Sequence, residues 1–206
     1  MPRVLGELTP MHQAVSLPEV TAPAALAMGL GALRPGLAPH LDLEAELHRS
    51  GTGTPLEEAS PAPRELFPEE VALAALSWGL HARLVGQGTG VPYLDHLVEQ
   101  GHEAGQLEAA FERARTQAGA AGLVRKQGEP TEAHVRTALS AGHPVLLLMD
   151  ATHRREDGEH APLWVLIAGL QGDQLLLHDP GKEAGPEHGA IARLPAVQGF
   201  QGTYAL

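Results

Sequence analysis

Any chemistry in this chain falls to hydroxyls, carboxylates and imidazoles, because none of its 206 residues is a cysteine. That absence removes thiol nucleophiles, disulfides and every thiolate metal site. The reactive types that remain cluster at a few places. Thr21 stands at the head of an apolar, helix-forming segment, and His178-Asp179-Pro180 closes a run of strand-forming residues. Adjacent strand residues point to opposite faces, so His178 is expected on the face away from Asp179, in a structural role. Asp179-Pro180 also reads as a turn former.

Twelve histidines raise the question of a metal. His153, Asp157 and His160 share one polar stretch, with His178, Asp179 and His188 further on, and imidazole with carboxylate suits zinc or nickel. No His-Glu-x-x-His pair occurs, however, and the expectation is no metal and no cofactor. Ser50-Gly51-Thr52-Gly53-Thr54 and Gly86-Gln87-Gly88-Thr89-Gly90 look like phosphate cradles, but neither carries the lysine or the full glycine fingerprint that phosphate binding needs. They read as plain loops.

The elements that position these residues follow from periodicity. Pro23 to Leu33 places Leu26, Leu30 and Leu33 on one helical face, with Pro23 in the first turn and Thr21 before it as an N-cap. A second helix is expected over Asp42 to His48, then a loop from Ser50 to Pro63. Pro68 to Gly79 reads as a helix with acidic residues in its first turn, where the dipole favours them. Ala82 to Val85 reads as a short strand. Tyr93 to Ala121 is helical with breaks near Gly101 and Gly105, and His134 to Ala141 is a short helix. Pro144 to Met149 and Trp164 to Gly169 are strand-length apolar runs. Gly172-Asp173 marks a hairpin into Gln174–His178, and a last strand is expected over Gly202 to Leu206. Helices first and antiparallel strands afterwards predict an α+β fold in one domain, 1–206, helical over about 20–141 and sheet over about 142–206.

Composition excludes several functions. The formal net charge is −11 with only 14 lysines and arginines, which would repel a phosphate backbone, so nucleic acid is not expected as a partner. No apolar run reaches a membrane span. The N-terminal residues interrupt their apolar character too soon for a signal peptide, and the chain is expected in the cytoplasm.

Four segments, in order, carry a resemblance. Thr21-Ala22-Pro23-Ala24-Ala25-Leu26-Ala27-Met28 matches a Cys-Gly-Pro-Ala-Ala-Leu helix opening, and Gly142-His143-Pro144-Val145 matches a Gly-x-Pro-Val strand. Ala161-Pro162-Leu163-Trp164-Val165-Leu166-Ile167-Ala168-Gly169 matches Pro-His-Trp-Val-Val-Val-x-Gly, and His178-Asp179-Pro180 matches His-Asp-Pro. On these segments the chain resembles the papain-like, bacteriocin-processing cysteine peptidases of the family C thirty-nine type, and the related domain that accompanies acetyltransferases and ATP-grasp ligases. The matches run from residue 13 to 180, closely at both ends and in outline over 40–135.

The resemblance implies a papain-like fold and a cleft between the first helix and the strand around Leu163. In the family a Cys attacks a carbonyl, a His takes its proton and an Asp fixes the His. Those positions here hold Thr21, Leu163 and Asp179. Leucine cannot accept a proton, so the inherited chemistry is lost. Gln13, at the position of the oxyanion-binding Gln, lies two residues further from the nucleophile position than the pattern sets. His160 is the residue placed to rebuild a base, in a hydrolase or transferase using Thr21, His160 and Asp179. The implied reading is a catalytically inactive pseudoenzyme, a regulatory module or one that binds a peptide or protein segment through Thr21, Ala22, Leu163 and Trp164. The family's company adds a ligase or acetyltransferase as a partner.

Overall fold

The computed structural model describes residues 20–34, 36–55, 65–86, 91–151, 162–180 and 187–190. The expected terminal strand over Gly202 to Leu206, most of the Gly86 to Gly90 loop and much of the Ser50 to Pro63 loop lie outside them. So do Gln13, His153, Asp157 and His160, and the side chain of His188.

α1 (Ala22–Leu33) is buried at every residue from Ala22 to Leu30. A helix apolar on all sides must be enclosed, and its alanines and glycines set how closely. A Cβ on Gly29 would lie 3.6 Å from both Leu146 Cδ1 and Leu166 Cδ1, so the helix backbone packs directly on strand side chains. α2 (Leu41–Thr52) follows, capped by His40 Nδ1 at its start and by Gly53, with φ 79°, at its end. It runs four residues beyond the expected His48, into the segment expected to be a loop. α3 (Pro68–Ser77) packs on α2.

Next come β1 (Arg83–Gly86), α4 (Val91–Glu99), α5 (Ala104–Ala120) and β2 (Val124–Gln127). β1 and β2 pair in parallel, Arg83 opposite Val124. The helical part of the chain therefore contains a small parallel sheet whose crossover is α4 and α5. β2 was not expected; Val124-Arg125-Lys126-Gln127 is mostly exposed and has no apolar alternation to mark it. Phe67, just before α3, meets Phe111 of α5 edge-on, ring centroids 5.7 Å apart.

α6 (Glu132–Ser140) leads into the antiparallel sheet: β3 (Val145–Asp150), β4 (Pro162–Gln171), β5 (Gln174–His178) and β6 (Glu187–Ala190), in the order β3-β4-β5-β6. The hairpin turns on Gly172, φ 63°, as its sequence predicts. β6 was not expected. Helices packed ahead of an antiparallel sheet bear out the α+β expectation.

Alternation along β4 divides the core. Trp164 and Leu166 join Leu146, Leu148 and the residues of α1 in one cluster. Leu163, Val165 and Ile167 join Val145, Leu147, Met149 and two residues of α6 in another.

Among the described glycines the closest approach is at Gly51 in α2, where a Cβ would lie 2.6 Å from the carbonyl oxygen of Glu70 in α3. Gly51→Ala is therefore expected to lose about 1–3 kcal/mol of stability by forcing α2 and α3 apart. Gly119→Ala on α5, where a Cβ meets nothing, should gain about 0.5–1 kcal/mol. Urea titration of both variants checks the opposite signs.

Candidate functional site

The first turn of a buried helix presents backbone N–H groups that need acceptors. In α1 these are not satisfied by the residue at the N-cap position. Thr21 has a helical backbone (φ −94°, ψ −26°) and its side chain caps nothing in its own helix, which corrects the expectation of a threonine N-cap. The cap comes from Glu65, more than forty residues away in sequence. Its Oε2 accepts from Thr21 N at 2.7 Å and its Oε1 from Ala22 N at 2.9 Å. Pro23 has no N–H to satisfy, and the N–H of Ala25 makes the first helical bond, to Thr21 O at 2.9 Å.

Glu65 takes two further bonds. Thr21 Oγ1 donates to Oε2 at 2.7 Å, and Leu66 N donates to Oε1 at 3.1 Å. Four donors therefore meet two carboxylate oxygens, using the full acceptor capacity of an ionised carboxylate. Thr21 Oγ1 in turn accepts from the backbone N–H of Trp164 at 2.8 Å, which ties β4 to the head of α1. The hydroxyl is engaged both as donor and as acceptor. Thr21 and Glu65 are both buried, among Val20, Ala22, Leu66, Phe67 and Trp164.

Burial pushes the Glu65 carboxyl up to about 7, against the lowering effect of its hydrogen bonds from Thr21, Ala22 and Leu66. Other buried carboxyls move the same way. Burial raises Glu44 to about 7, and Glu44 Oε1 has no hydrogen-bond partner among the described residues. Glu70, whose carboxylate accepts from Phe67 N at 2.8 Å, is raised to about 8 by burial and by the charges of Glu69 and Glu65. Burial also raises Glu69, which Arg125 of β2 partly offsets across a 2.9 Å ion pair.

The structure brings together some of the residues expected at the site and separates others. Thr21, Ala22 and Trp164 meet, all buried. Leu163 belongs to the cluster beneath α6, which holds no residue of α1, so the backbone of Trp164 rather than the side chain of Leu163 approaches Thr21. Asp179 follows β5 directly and is half-buried. His178 stands opposite Leu166 in the β4–β5 register and so shares the α1 face, not the far face expected for it. Burial lowers its pKa. Gln13 and His160 lie outside the described residues. Sequence reasoning missed Glu65 altogether. The only signal it carries is an acidic residue directly before Leu66-Phe67, both almost wholly buried.

A family model described as "Peptidase_C39 like family" matches residues 13–196. The chain belongs to that family, and the helices-then-antiparallel-sheet order is in keeping with the family's papain-like fold. Neither the curated proteins nor the solved structures yielded a match.

The raised carboxyls fix the sign of the pH dependence. Their ordinary value is 4.5, and folding lifts Glu44 and Glu65 to about 7 and Glu70 to about 8. Between those limits the folded state holds more protons than the unfolded chain, so stability falls as pH rises. His178, lowered by burial, acts in the opposite direction as pH falls through its ordinary value of 6.5. The urea midpoint is expected to be higher at about pH 5.5 than at about pH 8.5, and Glu44→Gln should flatten that difference. Thr21→Val, which leaves the Trp164 N–H without its acceptor, is expected to cost about 1–3 kcal/mol in the same assay, whereas Thr21→Ser should cost less.

Proposed function

We propose that this chain, as a Peptidase_C39-like protein, is a catalytically inactive relative of the family's cysteine peptidases that binds a peptide or protein segment instead of cleaving it. One observation carries the reading. The residue at the nucleophile position is a threonine whose hydroxyl is buried, donates to Glu65 and accepts from Trp164 N. A nucleophile needs a lone pair aimed at the substrate and a base free to take its proton. The absence of any cysteine supports the same reading. A ligase or acetyltransferase, which the family resemblance supplies as company, fits as the protein partner of such a module.

A specific observation also favours a hydrolase. A carboxyl with a pKa of about 7 lies 2.7 Å from the Thr21 hydroxyl, and a general base works best when poised near the working pH. Against it, the oxygen that would take the proton already accepts the N–H of Thr21. The Ala22 N–H that would steady a developing oxyanion is also taken by Glu65.

The discriminating experiment incubates the full chain with a mixed library of extended peptides and follows both cleavage by mass spectrometry and retention on immobilised chain. Saturable retention with no new termini is the expected result. Cleavage that survives Thr21→Ser and disappears in Thr21→Val and Glu65→Gln would overturn the reading in favour of the hydrolase. Absence of both retention and cleavage would also overturn it.

A further inference from the structure

The hydrogen bonds of β2 divide its backbone between two sides. Val124 N donates to Ala82 O at 3.3 Å and Gly128 N to Gly86 O at 2.9 Å, with Arg83 opposite Val124 and Val85 opposite Lys126. In a parallel pair alternate residues turn both backbone groups to the partner strand, so Val124 and Lys126 face β1. The N–H and C=O groups of Arg125 and Gln127 point the other way, where β2 has no neighbour among the described strands. β1 is buried from Leu84 to Gly86, whereas Lys126 and Gln127 are exposed. The open edge of the pair is therefore that of β2, and such an edge is a template for a further strand.

Its side chains say what that strand would carry. Arg125 pairs with Glu69 of α3 at 2.9 Å, so Val124 and Lys126 share the opposite face. There Val124 is 53% exposed. Lys126 Nζ meets His134 Nε2 at 2.8 Å, and neither Lys126 nor the exposed Arg83 of β1 has a carboxylate partner among the described residues. Burial, together with the charges of Lys126 and Arg83, lowers the pKa of His134. A chain of net charge −11 thus keeps an uncompensated positive patch beside an open strand edge.

We propose that the edge of β2 docks an extended acidic segment of another protein, added as an antiparallel strand with a carboxylate side chain opposite Lys126 and an apolar one opposite Val124. Main-chain bonds to Arg125 and Gln127 hold the segment, and the side-chain pairs select it. A second copy of the chain is the poorer occupant. Two β2 strands paired about a twofold axis set Arg125 or Lys126 against the same cations of the copy, and like charges directly opposite destabilise a pair. This goes beyond the function proposed above, since β2 contains none of the residues at the head of α1.

The test titrates the isotope-labelled full chain with a heptapeptide, capped at both ends, and follows backbone amide shifts by nuclear magnetic resonance. The peptide carries glutamate at its centre, valine two residues to either side and threonine elsewhere, so it offers the same pattern in both directions. Saturable shifts centred on the amides of Arg125 and Gln127 are expected. The same peptide with lysine in place of glutamate should bind at least about threefold more weakly. Lys126→Glu should reverse that preference. Gln127→Pro removes an outward donor that β1 does not use, and should weaken both peptides. Binding that leaves the two amides unmoved overturns the proposal, as does a glutamate preference indifferent to Lys126→Glu, or no binding of the heptapeptide. Shifts of the same amides with the concentration of the chain alone overturn it in favour of a second copy. Should Gln127→Pro not fold, Lys126→Glu at its exposed position decides. The outcome is separable from the earlier reading. Library peptides retained with both amides unmoved would overturn this proposal alone, and cleavage of the library would overturn that reading and leave the shifts as they are.

Discussion

A helix that runs through the middle of a core cannot leave its first amides to water, and in this protein that constraint is met by one carboxylate. Glu65 accepts from Thr21 twice, from Ala22 and from Leu66. Through the Thr21 hydroxyl the arrangement extends to Trp164 of β4. Three parts of the chain that are far apart in sequence are joined at one point: the head of α1, the approach to α3 and the start of β4. An unsatisfied amide in such surroundings costs far more than an ordinary hydrogen bond contributes, so the contact governs whether these parts can close on one another. The Thr21 hydroxyl is engaged on both sides by the same bonds, to Glu65 and from Trp164.

The same packing explains the electrostatics. Glu44, Glu65, Glu69 and Glu70 come from α2, α3 and the residues just before α3, and burial raises all four. Arg125 of β2 offsets the shift at Glu69 with an ion pair, which also joins the small parallel sheet to α3. Glu65 is offset by hydrogen bonds from neutral donors, and Glu44 has an oxygen without a hydrogen-bond partner among the described residues. Carboxyls raised in this way favour the folded state more in mild acid than in mild base. This reverses the usual behaviour of carboxylates held by cations, whose folded pKa values fall below the ordinary range.

Much of the fold was legible in the residues. The apolar stretch after Thr21, the acidic first turn after Pro68 and the Gly172-Asp173 hairpin each carry a local signal, and each marks an element observed close to its expected place. β2 and β6 carry no such signal. β2 is mostly exposed and exists because β1 offers it an edge. The end of α2 was misjudged because glycine at 51 looks like a breaker, whereas it is needed there to let Glu70's backbone approach. The face of His178 was misjudged because alternation relates neighbours on one strand but does not say which face lies against α1. Only the pairing of His178 with Leu166 does.

The sequence by itself determined what this protein lacks and which family segments it retains. Residue types are local facts, and the absence of cysteine, the leucine at 163 and the four ordered segments need no folding to be read. What stands beside Thr21 was decided only by tertiary structure. Glu65 is ordinary in its own neighbourhood, and nothing about its spacing marks it as a cap. It becomes one because the closing of α1, the α3 approach and β4 leaves buried donors with no water to accept from them, and a carboxylate is the group with enough lone pairs to satisfy them all.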